Sequence, residues 1–262
     1  MWEHRVMSVK EDTKTDMVGK ALSLLVLLGD EPRGASAADL ARSAGLPFST
    51  TYRLLGSLTR DGFVDYEPDG RRYHLGLRVF QLGQRVSNHH GFAATALPVL
   101  QRVTERTHEA TILSVRDGNH HLTVNKVDGP KTFRVTSDPG HLGALHTTSV
   151  GKAIVAFEEE VERKRLLEEL PLDPLTERSI TDRDVFREEI EQVRRQGYAV
   201  MDEENEVGMR AVAVPVLNSQ GHAFASLAVA VPVFRMGMEE LIAHVPTLQE
   251  AAAELSARLP QR

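Results

Sequence analysis

The chain has 262 residues, 41% apolar and 26% charged, the balance of a soluble globular protein of one or two domains. It has no cysteine, which excludes disulfides and thiolate metal sites and fits a reducing, cytoplasmic setting. Net charge is −6 but unevenly spread: residues 33–90 hold eight Lys/Arg against five Asp/Glu, residues 95–262 nineteen against twenty-six. A mildly basic front and an acidic back suggest two jobs.

Residues 1–17 are polar and mixed in charge, without a signal-peptide pattern, and are expected to form a flexible tail. Residues 18–28 read as a helix ended by Gly29-Asp30 and Pro32. Their apolar run is too short to cross a bilayer, so no membrane partner is expected. Ser36 is a good N-cap for a second helix reaching Ala44, with Asp39 at the capping-box position and Gly45 as the stop. A third helix spans residues 48–60 in "PFSTTYRLLGSLTRDGF". Its periodicity places Phe48, Thr51, Leu54, Leu55 and Leu58 on one face, and Ser49, Tyr52, Arg53, Gly56, Ser57 and Arg60 on the other. "FVDY" and "RYHL" flank the turn-former Pro68-Asp69-Gly70 and read as a β-hairpin.

Helix, Gly-containing turn, helix is the helix-turn-helix pattern, with Ala41 and Gly45 small enough for a close crossing. The hairpin makes it a winged version, residues 18–76. In that geometry the second helix enters the major groove of double-stranded DNA, N-terminal residues at base edges. Arg grips guanine in bidentate fashion and Ser/Thr donate or accept. The DNA-binding set is therefore Ser49, Thr50, Tyr52, Arg53 and Ser57, with Ser36 and Arg42 before them and Arg71 and Arg72 on the wing, which suit phosphates or a minor groove. An ordinary amphipathic surface helix produces the same pattern, and Asp65, Glu67 and Asp69 on the wing count mildly against DNA.

Residues 77–91 form a linker helix with Val79, Leu82 and Val86 at seam spacing, suited to pairing with a partner chain or to lying on a surface. After Pro98 the character changes. A helix at 98–108 precedes strand-like runs at 111–116, 121–127 and 132–137; "TTSVGKAIVAFEEEVERKRLLEEL" and "DRDVFREEIEQVRRQG" are helical; "AVMDEE", "RAVAVPVLN" and "HAFASLAVAVPVF" are strands. A terminal helix covers 238–259, with Pro246 expected to start or kink it. This mixture predicts an α+β domain with an antiparallel sheet over residues 92–262.

"ADLARSAGLPFSTTYRLLGSLTRDGFVDYEPDGRRYHLGLRVFQLG", "LHTTSVGKA", "LPLDPLTERSITDRDVFREEIEQVRRQGYAVMDEENEVGMRAVAVPV" and "AAAELSARL" occur in this order. On these stretches the span from Val18 to Leu259 resembles the IclR family of bacterial transcription regulators. The resemblance implies a homodimer, or a tetramer built as a dimer of dimers, bound to a palindromic operator. It implies a GAF-like C-terminal domain that binds a small-molecule effector and modulates operator affinity. By the family's motif, Leu145, His146, Ser149, Val150 and Asp202 would line the effector pocket, together with Ala211, Ala228 and Ala230. A helix starting near Thr148 would aim N–H groups at an anionic ligand, which suits the organic acids common in the family. The family often has Cys at the position of Ala211, Ser at those of Ala228 and Ala230, and Pro at that of Ala144. Three polar contacts replaced by methyls imply a larger or more apolar effector, aromatic acids included, or else a vestigial pocket.

No catalytic residue, cofactor or metal is expected. "SVGKA" lacks phosphate-loop spacing; His89-His90 and His120-His121 are adjacent pairs that point apart; no Gly-x-Ser-x-Gly accompanies His146. The charged runs "EEEVERKR" and "EEIEQVRRQ" read as solvated helix faces. Two alternatives remain at this point: a C-terminal domain that is an enzyme, and an effector-independent DNA binder. Whether the protein acts as a repressor or an activator depends on where its operator lies.

Overall fold

The computed structural model describes residues 16–130 and 136–259, which fall into two compact units divided between Val86 and Ser87. The first fifteen residues and most of the expected strand at 132–137 lie outside the described residues.

The first unit opens with α1 (Met17–Gly29), capped by Asp16, whose carboxylate accepts from Gly19 N. Helix α2 (Ala37–Ser43) starts at Ser36, whose hydroxyl accepts from Asp39 N at 3.2 Å and donates to the Asp39 carboxylate at 2.7 Å. That hydroxyl holds the Asp39 carboxyl below its usual pKa. Helix α3 (Phe48–Arg60) follows after Gly45, whose φ of +64° makes the sharp turn. A Cβ on Gly45 would meet nothing within 4 Å, so its role is the left-handed turn rather than the close helix crossing expected. Strands β1 (Val64–Glu67) and β2 (Arg72–Leu75) form the antiparallel wing, Val64 opposite Leu75. The positive φ of its tip falls on Arg71, +49°, rather than on Gly70. Leu24, Leu28, Leu40, Leu54, Leu55, Val64 and Tyr73 form this unit's core, and a backbone bridge between Ala35 and Tyr73 ties the wing to the helices. Helix α4 (Leu77–His89) buries none of its residues.

The second unit begins with a wide turn at Phe92–Ala96, where Ala96 N reaches Gly91 O, and continues into α5 (Leu97–Thr107). Strands β3 (Ala110–Asp117), β4 (His120–Val127) and β5 (Leu142–Ala144) lead to α6 (Ser149–Ala156) and α7 (Glu160–Glu169). Sequence periodicity makes α6 and α7 one helix; the structure breaks it at Phe157, whose carbonyl accepts from Ala223 N. Helix α8 (Arg183–Gln196), then β6 (Ala199–Asp202), β7 (Met209–Leu217) and β8 (Ala223–Pro232) follow. The expected terminal helix is two, α9 (Met238–Ile242) and α10 (Val245–Arg258), with Pro246 in the first turn of the second, where its missing N–H costs nothing. The sheet is antiparallel throughout, in the order β5-β4-β3-β8-β7-β6.

Alternation divides that sheet. Leu113, Val212, Val214, Leu227 and Val229 meet Val99, Val103, Leu248 and Leu255 of α5 and α10. Ala213 and Ala228 face the other way, onto Val150 and Ala153 of α6 and Phe186, Ile190 and Val193 of α8. Both faces are covered, which is why β7 and β8 read as nearly unbroken apolar runs. Small residues on the α6 side let that helix lie close to the sheet.

Two glycines provide opposite tests of the first unit. Gly45→Ala should destabilise the chain by about 1 kcal/mol, the cost of a side chain in the left-handed region. Gly56 sits mid-helix on an exposed face where a Cβ would meet nothing within 4 Å. Gly56→Ala should therefore stabilise by up to about 1 kcal/mol. Urea denaturation of the two variants measures both.

Candidate nucleic-acid interface and effector pocket

Helix α3 sorts its residues by polarity. Thr51, Leu54 and Leu55 are buried. Ser49, Tyr52, Arg53, Gly56 and Arg60 are exposed, with Thr50 and Ser57 half-buried. Phe48 departs from the expected pattern: it is exposed, its ring stacked on Tyr52 at 6.1 Å. Position one of the helix lies before the first buried turn, so periodicity alone misplaces it. The structure thus brings Ser49, Tyr52 and Arg53 together on one outward face. Ser36 is engaged as the α2 cap, and the exposed Arg42 pairs with Asp39 at 3.2 Å. At the wing, Arg71 is exposed, whereas Arg72 donates to Gly34 O at 2.7 Å and braces the wing against the α1–α2 connection.

In the second unit the start of α6 is built by Thr148. Its hydroxyl accepts from Gly151 N at 3.1 Å and donates to Ala144 O at 2.8 Å. Gly151 is required by contact: a Cβ there would lie 2.4 Å from the Leu145 Cα. Leu145, Ser149 and Val150 are buried at this junction, and Leu145 and Val150 pack in one cluster with Ala228. His146 is buried as well, against a member of the same cluster. Its Nε2 lies 3.0 Å from the Asp173 carbonyl and its ring stands edge-on to Phe186, where burial pushes its pKa down.

Ala211 and Ala230 are register partners, and they cluster with Ile112, Met201 and Met209. Sequence reasoning missed these three. The signal was available in strand alternation: Met201, Met209 and Ala211 share a face, and Ile112 pairs with Ala228 beside Ala230. The same alternation sends Asp202 to the other side, opposite Arg210, where Arg210 and Arg178 both hold its carboxylate. Asp202 therefore does not join the apolar cluster. A surface groove of about 610 Å³ between Leu217 and the Gln249, Ala253 and Ala257 face of α10 contains none of the expected effector residues.

"GKA" finds its explanation in Lys152. The side chain is 1% exposed, and its ammonium lies 2.8 Å from both oxygens of Glu204 and 2.9 Å from Glu189 on α8. Burial raises the Glu204 pKa, opposed by that ammonium. Thr176 donates to Glu203 O and Ser179 to Glu204 O, each at 2.7 Å, and Thr147 to Asn205 at 2.9 Å. The β6–β7 connection is thus fastened to the start of α6.

His121 presents a second buried group. It is 3% exposed, and its two ring nitrogens, like the hydroxyls of Ser114 and Thr123, have no hydrogen-bond partner among the described residues. Ser114 pairs with Thr123 and Arg116 with His121, so these three polar side chains share the α6 side of the sheet. Burial, with His141 and His120 nearby, lowers the His121 pKa to about 3. Among the described residues no three His, Asp or Glu side chains converge as a metal-ligand set, and no helix is long and apolar enough to cross a membrane.

Lys152→Met should cost about 3–5 kcal/mol in chemical denaturation, towards the lower end because Glu189 reaches solvent, by leaving buried carboxylate unpaired. Adding Glu204→Gln should recover part of it. For His121 the folded pKa lies below the ordinary 6.5, so the unfolded chain binds its proton first as pH falls. Its contribution to stability is present above pH 6.5 and is lost progressively towards about pH 3. His121→Leu should flatten that part of a stability–pH curve relative to wild type.

A family model described as the IclR helix-turn-helix domain matches residues 17–68, and one described as the C-terminal domain of the bacterial transcriptional regulator IclR matches residues 84–257. The transcriptional regulator KdgR of Escherichia coli is 30% identical over 250 residues, covering 95% of each chain. BhcR, a transcriptional regulator of Paracoccus denitrificans, is 31% identical over 243 residues, covering 93% of this chain and 87% of its own. A crystal structure of an IclR transcriptional regulator from Alicyclobacillus acidocaldarius aligns with a TM-score of 0.83 at 30% identity, over 92% of this chain and 97% of that one.

Proposed function

The chain belongs to the IclR family of bacterial transcription regulators, an effector-modulated DNA-binding protein, and we propose that α3 reads its operator from the major groove through Ser49, Tyr52 and Arg53. The observation that carries this is the division of α3 into a buried apolar face and an exposed face of hydroxyls, aromatic rings and arginine. Thr50, Ser57 and Arg42 flank that face. Arg71 is placed for phosphate, while Ser36 and Arg72 serve DNA indirectly, by capping α2 and bracing the wing.

The protein acts in the cytoplasm as a homodimer or a dimer of dimers. Pairing of copies is supported by exposed apolar side chains, Leu77, Phe80, Leu82 and Val86 on α4 and Val18, Leu22 and Val26 on α1. Its C-terminal domain binds a small organic acid with an apolar body, an aromatic ring included. Ile112, Met201, Met209, Ala211 and Ala230 offer methyl and thioether surface where polar side chains would favour short hydroxy- or keto-acids.

The test is selection of genomic fragments by the purified full-length protein, then fluorescence anisotropy on the best fragment with a panel of acids. The expected result is a palindromic site whose affinity changes with an aromatic or long-chain acid and responds less to acids of pyruvate size. Arg53→Ala should lose about 1–3 kcal/mol on that site and relax preference at one base step. Arg71→Ala should weaken binding evenly and flatten the salt slope. Equal losses on operator and random DNA for Arg53→Ala would remove it from the base-reading role.

A further inference from the structure

Helix α3 carries two aromatic rings into solvent. Phe48 is 55% exposed and Tyr52 59%, one turn apart, with 25° between the ring planes. The core of the first unit does not use them: Thr51, Leu54 and Leu55 fill the inward face. Gly56 continues the same line at i+8. A glycine inside a helix lowers its stability relative to alanine, and here no neighbouring atom requires it, since a Cβ would meet nothing within 4 Å. The outward face therefore has an apolar projection at its N-terminal end and open room in its third turn, with Arg53 and Arg60 exposed alongside. That is the relief of a helix that enters a groove N-terminus first and lets a polyanion approach behind.

In the major groove, bases present hydrogen-bonding edges with one apolar exception, the C5-methyl of thymine. The Phe48 ring has neither donor nor acceptor, so placing it against any other base edge leaves polar groups desolvated and unpaired. We propose that Phe48, with Tyr52 stacked against it, reads the C5-methyl of a thymine at one fixed position in each operator half-site. Besides facing the groove itself, Tyr52 holds the Phe48 ring in place through their stacking. The inference rests on the assignment of α3 to the major groove.

The experiment replaces each thymine of the selected operator singly by deoxyuridine, which removes the methyl and keeps every hydrogen bond. Wild-type full-length protein should lose about fourfold in affinity per half-site at one position, the effect of one lost methyl contact. Phe48→Ala should weaken binding to the thymine operator and bind both versions equally at that position. Its thermal melt should match wild type, because the ring is exposed. Tyr52→Phe should retain the discrimination and Tyr52→Ala should reduce it. The proposal is overturned if no deoxyuridine position weakens wild-type binding, or if Phe48→Ala still distinguishes thymine from deoxyuridine there. Binding no better than to random DNA would instead overturn the assignment of α3 itself.

Discussion

One buried ammonium organises the α6 side of the C-terminal domain. Lys152 meets carboxylates from α8 and from the β6–β7 connection, so a single side chain fixes three elements that are distant in sequence. Taking a charge out of water is costly, and the arrangement is tolerable because two carboxylates answer it in short, charge-assisted contacts. A purely apolar contact would allow α6 to slide along the alanine-rich surface of β7 and β8. Ionic hydrogen bonds have direction, and these set where α6 begins. The Thr148 cap and the close Gly151–Leu145 contact then complete the junction.

The DNA-binding unit solves a different problem, that of keeping a helix outward. Burial of Thr51, Leu54 and Leu55 holds α3 on the core. The wing is held separately, by the Ala35–Tyr73 bridge and by the Arg72 contact with Gly34. Both arginines of the pair are exposed, but Arg72 also donates to the Gly34 carbonyl.

Much of this was legible in the sequence because it is local. Capping by Ser36 and Asp39, the stop at Gly45 and the hairpin around Gly70 depend on residues a few positions apart. The C-terminal strands announced themselves as apolar runs bounded by turns. What escaped depends on pairing at long range. One partner of Lys152 lies fifty-two residues away, in a run of acids where nothing marks Glu204 out from Glu203. Asp202 was expected in the pocket from its motif, yet register pairs it with Arg210, away from Met201 and Ala211. Hydrophobicity places Phe48 inside, although the first position of the helix lies ahead of Thr51, where burial begins. The break between α6 and α7 reflects a backbone contact with β8 that no periodicity contains.

Effector control requires a ligand that favours one arrangement of the protein over another, and tightness of binding alone shifts nothing. Coupling energies of this kind are about 1–3 kcal/mol. An apolar ligand body can supply that without new charged contacts, because each methylene withdrawn from water contributes about 0.8 kcal/mol. Two or three methylenes buried against Ile112, Met201 and Met209 in one arrangement and exposed in the other would therefore suffice. Methionine suits such a surface, since its unbranched side chain repacks at small cost. The polar end of the ligand then need only choose orientation. If the proposed pocket is the effector site, its methyl groups at Ala211, Ala228 and Ala230 would place the energy of switching in contact area rather than in hydrogen bonds.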